Sequence, residues 1–452
     1  MRRLARAAAL ALAASTAAAS PALATRSTRS PKPAAAGSTL TWGRAKALDA
    51  LPAGAPSGAS VTLESVACTA PGSCVVVGHY LSMYTPHEST EVVPGFSESA
   101  LPLAIAESHG RWGRPRRIVL PANAATGLHQ HAALASVACP RAGACVAIGS
   151  YVTRSLEQQT IVASQSRGVW SRARELALSG RTPAGTATVL LSSLACHTAR
   201  FCVAVGSSEV SPSSPEEPPT SHPVALTESD GTWGAPVEVA PPAAAPAPRS
   251  AALTSVACPA SGVCAATGVY QVHAGATAPP SFAGFVAGES GGAWGASSTI
   301  ALSPALSGAQ SESLASIACA SSQTCEAVGS YEDGFGIDRP LAVGETAQSW
   351  GAAAPIALPA NAEPGGGTSL EAVACPVLGT CVAVGQYETN SAAEVATALV
   401  ESGASWGPAT QIKPAPGAGS GPGLMEWLAS VACPRPRSCV AVGGEIAVST
   451  VP

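Results

Sequence analysis

Charge and aromatic side chains are both scarce in this chain. Of its 452 residues, 12% are charged and 4% aromatic, with three Lys (Lys32, Lys46, Lys413) and four Asp (Asp49, Asp230, Asp333, Asp338). The Glu, Lys and Leu enrichment of helical proteins is missing, which argues against a helical bundle. No basic stripe runs along the sequence and the formal net charge is −4, so nucleic acid is not an expected partner. Beyond the N-terminus no apolar stretch reaches the ~18 residues a membrane span needs. No ordered Ser/His/Asp set and no Gly-rich phosphate loop stands out.

What the chain does have is turns and export features. Gly (45) and Pro (39) are abundant, as expected of many short elements joined by tight connections. Arg2, Arg3 and Arg6, an Ala/Leu-rich run and Ala22-Leu23-Ala24 together read as a secretory signal over residues 1–24. Its removal takes the formal charge from −4 to −7. Residues 25–37, rich in Pro, Ala and Ser, read as a flexible linker. The expectation is a secreted, extracellular protein with no stable membrane span after cleavage.

Residues 38–452 form one repetitive domain. Seven segments share the pattern Leu-x-Ser/Ala-Val/Leu/Ile-Ala-Cys, from Leu63–Cys68 to Leu428–Cys433. Each is followed after five residues by a second Cys, a Val/Ala-rich run and a Gly. Between these units Trp42, Trp112, Trp170, Trp233, Trp294, Trp350 and Trp406 recur, each with Ser or Thr four residues before it and an aliphatic six residues after it. Each unit supplies four short strands: a (to the first Cys), b (from the second), c (the apolar run before the Trp) and d (from the Trp). The runs are apolar on both faces, so each sheet must be covered on both sides, and stacking sheets around a ring does that. A period of about 60 residues with four strands fits a propeller blade.

The two ends complement each other. The chain starts with a lone strand d and ends with strands a, b and c, so Trp42–Leu51 should pair with Glu445–Val451 and close the ring. The fold class expected is therefore all-β: a seven-bladed β-propeller, four antiparallel strands per blade, with the N-terminal strand completing the last blade. Closure also removes open sheet edges.

All 14 cysteines fall into C-x5-C pairs: Cys68 and Cys74, Cys139 and Cys145, Cys196 and Cys202, Cys258 and Cys264, Cys319 and Cys325, Cys375 and Cys381, Cys433 and Cys439. An a–b hairpin would bring each pair within the ~4.4–6.8 Å Cα range of a disulfide. Zinc sites prefer shorter spacings and four ligands, so disulfides are the reading.

The Ser-x-x-x-Trp hairpins and the Ser-Val-Ala-Cys…Cys-Val-Ala-Val-Gly units resemble the secreted seven-bladed repeat propellers of high-GC Gram-positive bacteria. More distantly the chain is similar to the Asp-box (BNR) propellers of the sialidase-like group, through Glu228-Ser-Asp230-Gly231-Thr-Trp233. This resemblance implies a fold and transfers no activity.

Chemistry is sparse. His79, His87, His129 and His131 belong to neighbouring loops of blades 1 and 2 and are candidate metal or ligand contacts. Asp333 and Asp338 share one Gly-containing loop, a candidate weak Ca2+ site. Solvated histidines and an ordinary polar turn are the competing readings. No cofactor is otherwise expected and no catalytic residue is assigned. The favoured function is an extracellular binding or scaffold protein, expected as a monomer. It would use the variable d–a and b–c loops to contact a protein, peptide or glycan. The alternative is a carbohydrate-active hydrolase or lyase of the sialidase-like type, which would need two carboxyl groups ~5–10 Å apart.

Overall fold

The computed structural model describes residues 40–48, 51–55, 59–83, 98–178, 188–210, 220–243, 250–273, 281–403, 405–416 and 426–451. The expected signal and linker segments, and His87, lie outside the described residues. Seven sheets are present, each carrying a, b, c and d strands in antiparallel order. Blade 1 runs Ser60–Ala70, Ser73–Met83 and Glu98–Ser108, then an outer strand in two pieces, Arg111–Trp112 and Arg116–Arg117. The a strands of successive blades abut one another, and the last, Ser430–Arg435, abuts the first.

Closure occurs through the N-terminal strand. Thr41 and Trp42 pair with Val451 and Thr450, and Lys46 and Ala47 pair with Ala447 and Ile446. The chain ends thus complete blade 7 as the complementary leftovers require.

The repeated Gly is explained by a bulge. In blades 1 to 6 the register of strand a slips by one residue after its Leu, as between Leu63 and Ser65 or Leu314 and Ser316. The slip presses strand a onto the Gly of strand b. A Cβ on Gly78 would sit 2.0 Å from the Thr62 carbonyl oxygen, and one on Gly329 2.0 Å from that of Ser313. Only Gly fits such an approach.

The repeated Ser joins blades. Ser65 Oγ accepts the Val137 N–H of blade 2 at 3.2 Å, and Ser136, Ser193, Ser255 and Ser316 do the same for Leu194, Val256, Ile317 and Val373. Ser430 of blade 7 accepts from Val66 of blade 1 at 3.1 Å, which carries the latch across the closure. Blade 6 has Ala372 at this place, so six of the seven junctions are latched.

All seven Cys pairs form disulfides. Their Cα separations, 3.9–4.1 Å, fall below the expected range. In blades 1, 3 and 5 the two residues of a pair are direct cross-strand partners, Cys68–Cys74, Cys196–Cys202 and Cys319–Cys325, rather than diagonal neighbours. Closing so short a loop contributes about 2 kcal/mol in the chain-entropy account. Tyr80, Tyr151, Tyr270 and Tyr387, each two residues past the Gly of its strand b, are buried and serve packing. Among the described residues no helix is long and apolar enough to cross a membrane.

Candidate functional site

The loop residues singled out from sequence are dispersed. His79 lies on strand b of blade 1, its Nδ1 3.6 Å from Glu64 Oε1. Glu64 is the extra residue of the blade 1 bulge. Burial pushes the Glu64 carboxyl up and the His79 imidazole down, so both ionised forms are disfavoured. His129 ends a short 3-10 turn, Gly127–His129. His131 pairs through its backbone with Ala100 at the boundary of blades 1 and 2. Asp333 organises its own turn: Oδ1 accepts the Phe335 and Ile337 N–H groups at 2.9 and 3.2 Å, and Oδ2 meets Arg339 Nε at 3.1 Å. Those backbone bonds, with the Arg339 guanidinium, hold its carboxyl below the usual range. Asp338 opens the next strand opposite Glu332. Among the described residues no group of three or more His, Cys, Asp or Glu is placed to hold a metal ion.

A different site stands out at the opposite end of the ring, where the a–b and c–d hairpins turn. Between blades 5 and 6 lies a cavity of about 840 Å3 lined by Glu326, Glu345, Glu401 and Trp406. Three elements supply its carboxyls. Glu326 follows the second Cys on strand b of blade 5, whereas the other six blades have Val or Ala there. Glu345 is the next-to-last residue of strand c of blade 5 and Glu401 directly follows strand c of blade 6, each opposite its blade's Trp. The cross-strand partner of Glu326 is Gly344, and a Cβ there would come within 2.7 Å of Glu326 Oε2. The missing side chain leaves room for the carboxyl.

The electrostatics of this cleft are one-sided. No Lys, Arg or His lines it. Burial pushes the Glu326 carboxyl up to about 7; the Trp406 indole N–H opposes the rise, and the Glu401 carboxylate adds to it. Trp406 Nε1 donates to Glu326 Oε1 at 3.0 Å across the blade boundary. Glu345 is likewise raised by burial. Glu401 is 6% exposed. The cleft therefore holds a carboxyl that exchanges its proton near neutral pH beside further acids, an arrangement suited to accepting hydrogen bonds or moving a proton.

The equivalent cleft between blades 2 and 3 serves as an internal control. It encloses about 200 Å3 and contains Val146 and Gln165 in place of Glu326 and Glu345, with Arg141 and Arg174 beside Glu228. The 5–6 cleft departs from the repeat at Glu326; the position of Glu345 and Glu401 is also Glu in blades 1, 3 and 4 (Glu107, Glu228 and Glu289), with Gln165 and Thr450 as its exceptions. Sequence reasoning passed over Glu326, although a lone carboxylate inside an otherwise apolar repeat position was a visible signal.

No protein-family profile and no curated protein matches the chain. Among solved structures it is similar to the α-L-arabinofuranosidase of Fusarium graminearum, with 11% identity over 91% of this chain and 98% of that one and a TM-score of 0.44. It is also similar to the PL25 ulvan lyase, with 10% identity over 91% and 94% and a TM-score of 0.47. A third is the α-L-arabinanase of Penicillium chrysogenum, with 12% identity over 91% and 98% and a TM-score of 0.41. Likenesses this distant assign neither activity nor substrate.

Proposed function

We propose that the chain is an extracellular binding propeller whose ligand site is the cleft between blades 5 and 6. The observation that carries this reading is the convergence of Glu326, Glu345, Glu401 and the Trp406 indole on one cavity of about 840 Å3. That volume lies in the ~300–1,000 Å3 range of small-ligand sites. Carboxyl groups accept from hydroxyls, and an indole offers both a ring face and a donor, so a short glycan is the ligand class that fits. Seven disulfides suit an oxidising compartment, and residues 1–24 supply the export signal this reading requires. A glycan array followed by calorimetry tests it. A bound oligosaccharide whose affinity drops in the Glu326→Gln, Glu401→Gln double variant supports the reading. Binding unaltered in that variant moves the site elsewhere.

The second reading is a carbohydrate-active hydrolase or lyase. It is favoured by one feature: Glu326 carries its proton near pH 7 beside Glu401, as a general acid next to a second carboxyl would. Turnover in a glycosidase and lyase screen, abolished by Glu326→Gln, would replace binding with catalysis.

A further inference from the structure

A second surface, on the outer rim, is built from charge rather than from a cavity. The outer strand of blade 1 exposes Arg111, Arg114, Arg116 and Arg117. In sequence these are one local cluster. The fold extends it, because the tail of each outer strand runs on to the next blade. Val119, two residues past Arg117, accepts the Ala173 N–H at 2.8 Å, and Ala173 sits between the exposed Arg172 and Arg174 of blade 2. On the other side the Lys413 carbonyl of blade 6 accepts the Ala45 N–H at 2.9 Å, between Arg44 and Lys46 of blade 7. Lys46 in turn reaches blade 1: burial raises the Glu107 carboxyl and the Lys46 ammonium opposes that rise.

The result is a band of cations along consecutive blades, in a chain whose formal net charge is −4. The corresponding stretches of blades 3, 4 and 5 (232–240, 293–302 and 349–358) contain no Lys or Arg. None of the ion pairs among the described residues uses the band. Several of its members are instead held by backbone carbonyls: Arg44 by Pro414, Arg172 by Leu120 and Arg174 by Gly231. Such bonds orient a guanidinium without neutralising it.

We infer that this rim is a docking surface for an anionic polysaccharide, one whose repeating carboxylates or sulfates run along the outer strands of blades 7, 1 and 2. Arginine dominates the band, and its planar fork matches carboxylate and sulfate oxygens in pairs. A line of fixed cations matches a polymer better than a single small anion. The disulfides in every blade favour an oxidising, extracellular polyanion over a nucleic acid. This surface does not depend on the 5–6 cleft.

The test is biolayer interferometry on the whole protein with immobilised polygalacturonate, dextran sulfate, neutral dextran and duplex DNA, at low and at raised salt. The rim variant carries Arg111→Gln, Arg114→Gln, Arg116→Gln and Arg117→Gln. Arg435→Gln, an exposed site on the blade 7 a–b hairpin, is the control, and thermal melts check that all three proteins fold. The expected result is binding to polygalacturonate, dextran sulfate or both, weakened about tenfold or more by the rim substitutions and by added salt; which of the two binds identifies carboxylate or sulfate as the anion. The control retains wild-type affinity. Equal binding to neutral dextran, duplex DNA bound as tightly as the polysaccharides, or a folded rim variant with wild-type affinity overturns the inference.

Discussion

Glu326→Gln should make the protein more resistant to unfolding at alkaline pH while leaving it nearly unchanged in acid. The carboxyl rises from the ordinary 4.5 to about 7 in the folded chain, first through burial, with the Trp406 N–H opposing and Glu401 adding. A folded-state value above the unfolded one means stability that is present below pH 4.5 and lost as pH climbs through 7. At 1.36 kcal/mol per pH unit of displacement, the full loss is about 3 kcal/mol. Gln preserves the shape and still accepts the indole N–H, so it removes the titration and little else. Glu107, Glu289 and Glu345 are also raised by burial and tilt the wild-type curve the same way. The informative quantity is therefore the difference between the two proteins. Urea unfolding at several pH values from about 4.5 to 9 should give curves that coincide in acid and diverge by up to about 3 kcal/mol in base. Parallel curves across that range would refute both the burial of Glu326 and its place as the titrating group of the cleft.

Three further outcomes follow from the ring's construction. Ala372→Ser supplies the latch missing between blades 6 and 7 and should raise the free energy of unfolding by about 0.5–1.5 kcal/mol if the new hydroxyl accepts the Val431 N–H; no gain in urea unfolding would mean the junction is spaced differently from the other six. Gly329→Ala places a methyl 2.0 Å from the Ser313 carbonyl, so it should lower the melting temperature sharply, whereas Gly308→Ala, with nothing within 4 Å, should not. Replacing Cys319 and Cys325 together by Ala should cost about 2 kcal/mol, measured by denaturant unfolding without reductant, and should leave the other six bridges intact by mass spectrometry.

The fold was legible in the sequence because a repeat multiplies weak signals. One Leu-Ala-Ser-Val-Ala-Cys run is an ambiguous apolar segment, but seven at matched offsets, with a spare d strand at one end and a missing one at the other, define a closed ring. The pairing of strands a and b was less legible. The bulge after Leu63 and the close approach of Gly78 to the Thr62 carbonyl depend on the register of strand a against strand b, which an apolar run does not specify. The Ser latch was visible as a recurrent residue but not as a bond, since its partner lies one whole repeat away. The site was hardest to read. Loop histidines and Asp333 attract attention as polar residues, yet Asp333 spends its oxygens on its own turn and on Arg339.

The informative positions are those where one blade breaks the pattern at a cost. A carboxyl at 326 replaces Val or Ala, sits partly buried and loses favourable hydration, and the chain accommodates it with a side-chain-free Gly344 and an indole donor from the next blade. A residue that weakens the ring and is nevertheless supported by two neighbours is better explained by a task than by packing. The same reasoning reaches the rim. Blades 3 to 5 show that the outer strand needs no cation to fold, so the arginines of blades 1 and 2 are surplus to the architecture. At the cleft the repeat and its exceptions meet: Trp406, Glu345 and Glu401 stand at positions the other blades share, and Glu326 is what blade 5 adds to them.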